Sequence, residues 1–326
     1  MIPKTDLSIC VVSWKVKEHL ERCLRSIRAC SGPESETIVV DNASGDGSAE
    51  MTEKEFPEAR LIVNDLNRGF AAAVNQALAI SRGRYFFILN PDTIVQPGSL
   101  REMVDFLDRR PAAGAAGCRL IGPDGKTQPS VRSFPTFLSA LDRFTFLGRL
   151  RLFPRARRDY LMVNFDYDRP QEVDQVMGAA LLTRREALEK ARRMDENFFL
   201  YFEEVDLCRR LRAAGYSIWY NPRASIVHLG GASFEQSGGE ARFWLLKSQL
   251  YYFRKHCAHR SVARFEMIFK PLVLMGEACG LVSTGIELLA ARLWPTSPRR
   301  KERKAARWRR KIDFFTRFLP RFLREG

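Results

Sequence analysis

Apolar residues recur along this chain in two alternating rhythms. Leu7–Trp14 (LSICVVSW) is a short, unbroken apolar run rich in β-branched residues, which predicts a buried strand. In His19–Arg28 the apolar positions are Leu20, Cys23, Leu24 and Ile27, three or four apart, the period of an amphipathic helix. Thr37–Asp41 (TIVVD) predicts a second buried strand that ends in a polar loop, NASGDGS. Arg60–Asn64 reads as a short third strand, Phe70–Ile80 as an Ala-rich helix and Arg84–Asn90 (RYFFILN) as a fourth strand. Ser99–Leu107 is a further helix, which the pattern opens with a serine cap.

Strands that are nearly all apolar and alternate with helices imply an α/β fold. Its central sheet is mostly parallel, with helices on both faces. Polar residues gather just past the carboxyl ends of these strands: Ser13, Asp41, Asn42, Asn90 and Asp92. In open α/β sheets that edge is where ligands bind, so one site can be placed from pattern alone. Farther along, Pro111–Pro170 is rich in Gly, Pro and Arg and reads as mostly loop. Val173–Thr183 reads as a strand with Gly178 in its middle, Val205–Ala213 as a short helix, and Ser217–Tyr220 and Ser225–His228 as two short strands. Phe243–Cys257 has the pattern of a long amphipathic helix.

Composition narrows the class. The 326 residues are 45% hydrophobic and 28% charged, which excludes a disordered chain, a collagen-like repeat and a polytopic membrane protein. The net charge of +15 points to an anionic partner, yet thirteen basic and three acidic side chains lie from Ala290 onward, so +10 of it belongs to the tail. The seven cysteines include no Cys-x-x-Cys spacing and fall mostly in apolar stretches, as reduced thiols of a cytoplasmic protein would. No basic stretch followed by a long apolar run opens the chain, so no signal peptide is expected.

Three segments carry candidate chemistry, each with an ordinary alternative. Leu89–Thr93 (LNPDT) ends a buried strand with a carboxylate in a turn. Divalent metals such as Mg²⁺ take hard oxygen ligands of that kind together with substrate phosphates, but Pro-Asp is also a common turn. In Phe198–Arg212 (FFLYFEEVDLCRRLR) the carboxylates Glu203, Glu204 and Asp206 crowd behind an aromatic run. Mutual repulsion would raise one pKa and suit a general base; equally, they could be an acidic first helical turn paired to Arg209 and Arg210. His228, at the end of a short apolar strand, gains meaning if it shares a site with Asp92. The loop Asp41–Ser48 fails calcium-loop spacing because its twelfth position is Thr52, and no Walker loop or G-x-G-x-x-G after the first strand is present.

The segments VVSW, VVDNASGDGS, NRGFAAAVNQAL, GRYFFILNPDT, VMGAALLTRREAL, FFLYFEEVDLCRRLR and HLGG occur in one order. Together they resemble a family 2 glycosyltransferase of the GT-A fold, and most of all the rhamnosyltransferase-like branch that builds bacterial surface polysaccharides. The resemblance covers about residues 6–255. It implies a nucleotide-sugar donor beside Ser13 and Trp14, with Asp41 contacting the base and Asn42, Ser44 and Asp46 in its loop. Asn67, Gly69, Phe70 and Asn75 match the next nucleotide-proximal segment. Lys15 departs from the asparagine often found there. Asp92 matches the aspartate that binds Mg²⁺ or Mn²⁺, and His228 a histidine that can complete the site. Asn90 stands where the better-known form has a first aspartate; it can still hydrogen-bond ribose. Glu204 matches the catalytic base, more commonly aspartate in this branch, and Glu203 the acidic neighbour facing the acceptor, with Asp206 the second choice for base.

The resemblance thus implies inverting transfer of a sugar, L-rhamnose from dTDP-rhamnose by likeness to the branch, to a saccharide or polyprenyl-linked acceptor. Two rival readings are a sugar-nucleotide-binding module without turnover and a basic nucleic-acid-binding protein. The second is disfavoured because the basic residues sit in the tail without a nucleic-acid motif, so no nucleic-acid partner is expected. Residues 1–260 are expected to form the catalytic domain and 261–326 a helical, basic extension. There Met267–Trp294 is apolar but interrupted by Lys270, Glu277, Glu287 and Arg292, leaving less than the ~20 residues of a spanning helix. Arg299–Lys311 is basic around Trp308, and Phe314, Phe315, Phe318, Leu319, Phe322 and Leu323 recur at roughly helical spacing. This describes a helix lying on an anionic membrane, and a cytoplasmic enzyme peripheral at the inner face. The alternative is that Met267–Trp294 packs on the catalytic domain and the rest is solvated.

Overall fold

The computed structural model describes residues 5–230, 238–293 and 297–325. By contacts the described chain forms two units, one of residues 5–134 and 161–230, the other of residues 135–160 and those from 238 on.

In the first unit, β1 (Leu7–Ser13), α1 (Lys17–Ala29), β2 (Ser35–Asp41), α2 (Ser48–Glu55), β3 (Arg60–Val63), α3 (Phe70–Ile80) and β4 (Tyr85–Leu89) follow in order. Their strands lie β3-β2-β1-β4, all parallel. Alternate β1 residues serve opposite faces. Leu7, Ile9 and Val11 join the cluster that holds Leu20, Cys23, Leu24 and Ile27 of α1. Cys10 and Val12 join Ala71, Ala73, Val74 and Ala77 of α3. A strand buried on both sides needs the unbroken apolar run seen in the sequence.

The chain continues through β5 (Thr93–Val95), α4 (Ser99–Asp108), β6 (Ala113–Ile121), β7 (Val131–Arg132), α5 (Phe137–Phe144) and α6 (Pro154–Leu161). Then come β8 (Gln171–Glu172), β9 (Gln175–Val176), β10 (Ala180–Arg184), α7 (Arg185–Lys190), α8 (Glu203–Ala213) and β11 (Ser217–His228). Beyond β4 the sheet runs β10-β6-β11-β5. β10 is antiparallel to both neighbours, whereas β6 and β11 are parallel to each other. The carboxyl ends of β1, β2, β4, β6 and β11 therefore share one edge with the start of β10.

Four local readings differ from the structure. Ser99 is not a cap: Gly98 precedes the helix, and the Ser99 hydroxyl donates to the Ser225 carbonyl (2.8 Å) and accepts from its N–H (3.1 Å). That pair holds the irregular stretch between Asn221 and Ser225, so β11 is one strand rather than two. β6 lies hidden in the segment read as loop. Its Ala and Gly residues are small because side chains cross it; a Cβ on Gly117 would meet Val176 Cβ at 2.7 Å. Finally, Val173–Thr183 breaks at Met177–Ala179 into β9, which pairs with β7, and β10 in the main sheet.

The second unit is helical: α5 and nearly all of α6, then α9 (Gly238–His256), α10 (His259–Leu293), α11 (Pro298–Asp313), a π-helical turn (Phe314–Phe318) and α12 (Leu319–Glu325). Phe137 stacks on Phe265 (4.6 Å between centroids) and leans on Phe253 (4.8 Å). Arg242 reaches Glu277 at 3.1 Å and the Phe144 carbonyl at 2.8 Å. Phe314, Leu319 and Phe322 are buried, so these members of the terminal apolar stripe pack within their own unit. His259–Ala291 is one helix long and apolar enough to cross a membrane. Trp294 lies outside the described residues, as do the side chains of residues 299–301 and 303 of the basic stretch.

Candidate active site

At the shared sheet edge, Ser13 and Asp41 are register partners ending β1 and β2. Both are buried; among the described residues the Ser13 hydroxyl and Asp41 Oδ1 have no hydrogen-bond partner. Asp41 Oδ2 accepts the Ser44 N–H (3.1 Å), and the Ser44 hydroxyl accepts the Lys15 N–H (3.1 Å). Lys15 and Ala43 both take left-handed φ, 56° and 62°, so each strand ends in a sharp turn. Trp14 is half-buried beside the Lys15 ammonium, 5.3 Å from its ring. Asp46 fixes the far end of the loop through the Lys17 N–H (3.0 Å) and Ser48. Burial pushes the Asp46 pKa up, but these bonds outweigh it and leave the carboxyl below its ordinary value.

Asn42 ties this loop to the next one. Its Nδ2 donates to Asn67 Oδ1 (2.9 Å) and the Gly69 carbonyl (3.2 Å), and its Oδ1 accepts from Asn64 (3.1 Å) and the Arg68 N–H (3.0 Å). Its amide is thus fully engaged, with two backbone and two side-chain partners. Gly69 has φ 86°, and a Cβ there would lie 2.7 Å from the Phe199 carbonyl oxygen. The same carbonyl accepts the Phe70 N–H at 2.8 Å. The start of α3 is thereby stapled to the aromatic run before α8. Asn75, one turn on, binds Met194 backbone and Glu196 Oε1 (2.8 Å), so its amide fixes that neighbouring segment.

The chain enters α8 through Tyr201 and Phe202, both left-handed (φ 67° and 69°), a costly conformation for aromatic residues. It delivers three carboxylates to three environments. Glu203 is buried, its Oε2 unpartnered among the described residues, and burial, then the neighbouring Glu204 charge, raises its pKa well above the usual carboxyl range. Burial and the same two carboxylates push the Tyr201 phenol up to about 12. Asp206 is fully buried and ion-paired at 2.7 Å to Arg210. Glu204 is half-buried against Gly178, where a Cβ would lie 3.4 Å from its own Cβ and 3.8 Å from its carboxyl carbon.

The Met177–Ala179 turn links Glu204 to the LNPDT loop, since the Ala179 carbonyl accepts the Asn90 N–H at 3.0 Å. Asp92, two residues on, is buried, and its Oδ1 lies 3.6 Å from His228 Nε2. Strand pairing of His228 with Thr93 and a bond from the Leu229 N–H to the Asp92 carbonyl (2.9 Å) hold the two side by side. Gln128 sets the tautomer. Its Nε2 donates to the His228 carbonyl (2.9 Å), which turns Oε1 toward Nδ1 (2.8 Å). Oε1 can only accept, so Nδ1 carries the proton and Nε2 offers a lone pair. Burial lowers the His228 pKa against the opposing pull of Asp92, which favours the neutral ring. A bare imidazole nitrogen beside a carboxylate is a donor set that fits Mg²⁺ or Mn²⁺. Among the described residues no third His, Cys, Asp or Glu completes a cluster, leaving the remaining positions to water and substrate phosphates.

Gln128, Phe199 and the left-handed pair before α8 escaped the sequence reading. Gln128 sits in an unpatterned loop, and a carbonyl or a backbone angle has no sequence signal. Gly178 did carry one, because an isolated glycine in an apolar run marks close approach.

A model of the family described as Glycosyl transferase family 2 matches residues 8–190. Over 237 residues the chain is 31% identical to the N-acetylglucosaminyl-diphospho-decaprenol L-rhamnosyltransferase of Mycobacterium tuberculosis, across 68% of this chain and 75% of that protein. The rhamnosyltransferase WbbL of Escherichia coli is 25% identical over 191 residues, 57% of this chain and 69% of its own. Among solved structures, the mannosyltransferase PcManGT of Pyrobaculum calidifontis in complex with GDP-Man and Mn²⁺ has a TM-score of 0.55 at 18% identity, covering 97% of this chain and 88% of that one. This last likeness is one of fold.

Proposed function

We propose, from the premise that the chain belongs to glycosyl transferase family 2, that it is an inverting, metal-assisted transferase of L-rhamnose from dTDP-rhamnose to a lipid-linked saccharide. The observation that carries a nucleotide donor is the pair of buried, unpartnered atoms, Ser13 Oγ and Asp41 Oδ1, at the ligand-binding edge of the sheet. Asp41 accepts from the base, and Trp14 and the Ser44 loop flank it. Asn42, Asn67 and Gly69 shape the donor loop through the bonds described, and Phe70 opens the helix behind it. In this reading Asn90 hydrogen-bonds ribose. The donor sugar rests on the two rhamnosyltransferase relatives, and its dTDP carrier on the resemblance of the motifs to that branch.

Asp92 and His228 would hold the cation, whose charge would offset that of the departing diphosphate. Glu204 takes the proton from an acceptor hydroxyl. That oxygen attacks the anomeric carbon as the bond to the diphosphate oxygen breaks, and the configuration inverts. Burial raises the Glu203 pKa and so favours its protonated form, which can donate a hydrogen bond to the acceptor. Asp206 is a poor base because Arg210 already occupies its carboxylate. A prenyl-diphosphate acceptor would place the enzyme at the cytoplasmic face of a membrane, held there by the basic extension.

The test is a thermal-shift screen of dTDP-, UDP- and GDP-sugars with and without Mn²⁺, followed by transfer from dTDP-rhamnose to a prenyl-diphosphate-linked N-acetylglucosamine. Selective stabilisation by dTDP-rhamnose, as mass action requires of a ligand that binds the native state, is the expected result. Stabilisation by UDP-hexoses with no response to dTDP compounds would overturn the donor assignment.

A further inference from the structure

Along α10, Met267, Leu274, Met275, Val282, Ile286 and Leu289 are 39–70% exposed. Their spacing places them on one side of a helix. The side turned away carries Phe265, Phe269, Val273, Thr284 and Ala291, all buried. Lys270, Glu277 and Glu287 fall off the exposed arc by the same helical geometry. Lys270 pairs with Glu266 (3.7 Å), and Glu277 with Arg242 (3.1 Å) and Lys311 (3.9 Å). The result is an uncharged apolar stripe of about 33 Å, at 1.5 Å per residue, on a helix whose other side is already packed. A helix apolar on both sides needs a second apolar partner.

Charge says what that partner is. Arg260 and Arg264 are exposed, one and two turns before Met267, and continue the stripe at its amino end. Arg307, Arg309 and Arg310 are exposed on α11, the helix packed alongside. Two copies meeting through this face would bring like charges together, whereas an anionic bilayer would meet both features. A helix crossing the bilayer would carry Glu277 and its two cationic partners into hydrocarbon, which is expensive. We propose that the 267–289 face of α10 lies flat in the interface of an anionic bilayer, with the arginines of 260–264 and of α11 at its phosphates. This rests on the reading that the extension meets a membrane and deepens it by naming the embedded face. It moves that face from the Phe314–Leu323 stripe, part of which is buried, to the middle of α10.

The experiment is flotation of the full chain with vesicles of phosphatidylglycerol and phosphatidylcholine, against phosphatidylcholine alone. It compares the wild type, a Met275→Glu/Val282→Glu/Ile286→Glu variant, and an Arg309→Glu/Arg310→Glu variant. The wild type should float with the anionic vesicles. The triple variant should lose about tenfold or more of its binding, because the buried apolar area drives insertion. The arginine variant should weaken binding in a salt-dependent way. Should the triple variant misfold, a fluorophore on Ile286→Cys should shift to the blue with vesicles while one on Glu287→Cys does not, with Cys30, Cys257 and Cys279 replaced by serine. Equal flotation of wild type and triple variant, or equal shifts at 286 and 287, would overturn the face while leaving membrane binding intact. Failure of the wild type to float would overturn both readings. A lipid-independent dimer abolished by the triple substitution would assign the stripe to a second copy and overturn the lipid assignment.

Discussion

Glu204 and Asp206 differ by two positions and are chemically alike, yet only their surroundings separate the proposed base from the ion-paired brace. Glu204→Gln is expected to reduce transfer by about 10²-fold or more while keeping donor-induced stabilisation. Asp206→Asn should instead lower stability by about 3 kcal/mol, since it leaves a half-buried arginine without its carboxylate; denaturant unfolding measures this. A silent Glu204→Gln beside a stable but inactive Asp206→Asn would reverse the assignment. Glu203 makes a different prediction. Its folded pKa is raised above the ordinary 4.5, so the native state holds a proton that the unfolded chain releases first. Stability from this group is full below the unfolded value and is lost as pH rises through the folded one. Glu203→Gln should therefore raise the melting temperature more at pH 8 than at pH 4.5, and an equal gain at both would contradict the burial argument. Among the described residues the Gln128 side chain bonds only His228. Gln128→Ala should weaken Mn²⁺ binding by about 10–100-fold, read by calorimetry, with the fold unchanged; unaltered Mn²⁺ affinity would show that the tautomer does not matter.

Among the elements, one backbone bond ties the start of α3 to the aromatic run before α8. The Phe199 carbonyl reaches the Phe70 N–H only because residue 69 has no Cβ and takes a left-handed φ. Gly69→Ala should cost about 1–3 kcal/mol of stability, the usual range for such strain. It should also depress transfer more than donor binding, because it pushes on the segment that delivers Glu203 and Glu204. Wild-type melting and turnover in this variant would show that the staple is dispensable. β6 makes the complementary point. Its weak apolar signal follows from Val176 and other side chains lying across it, so packing selected small residues where pattern expects large ones.

Over the whole chain, the excess charge is concentrated where the second unit ends, and those residues are not a detachable tail. Phe318 meets Phe243 at 5.8 Å, and Phe314, Leu319 and Phe322 are buried. Deleting residues 298–326 should therefore destabilise the second unit and provoke aggregation, each lost Phe or Leu contact being worth about 2–5 kcal/mol. A truncated chain that stays monodisperse with an unchanged melting profile would refute this. Point substitutions, rather than truncation, are the sound way to ask what the basic residues do.

The sequence alone determined the α/β class, the parallel half of the sheet, the edge where polar residues gather, and the ordered motifs of the family. Those features are written in local periodicity and in residue type, which do not depend on distant partners. Tertiary structure decided what depends on neighbours far along the chain. Asp92 meets His228 across 136 positions of sequence and takes its bare nitrogen from Gln128, a residue in a loop without pattern. Asp206 is removed from contention by Arg210, and Asn42 is saturated by four bonds that no spacing announces. The amphipathic tail shows the limit most plainly. Its sequence offers two apolar stripes, and only packing reveals that buried members anchor the stripe at 314–323 while the one along α10 stays open. Periodicity tells that a face is apolar; which face finds a partner is settled by where the other helices lie.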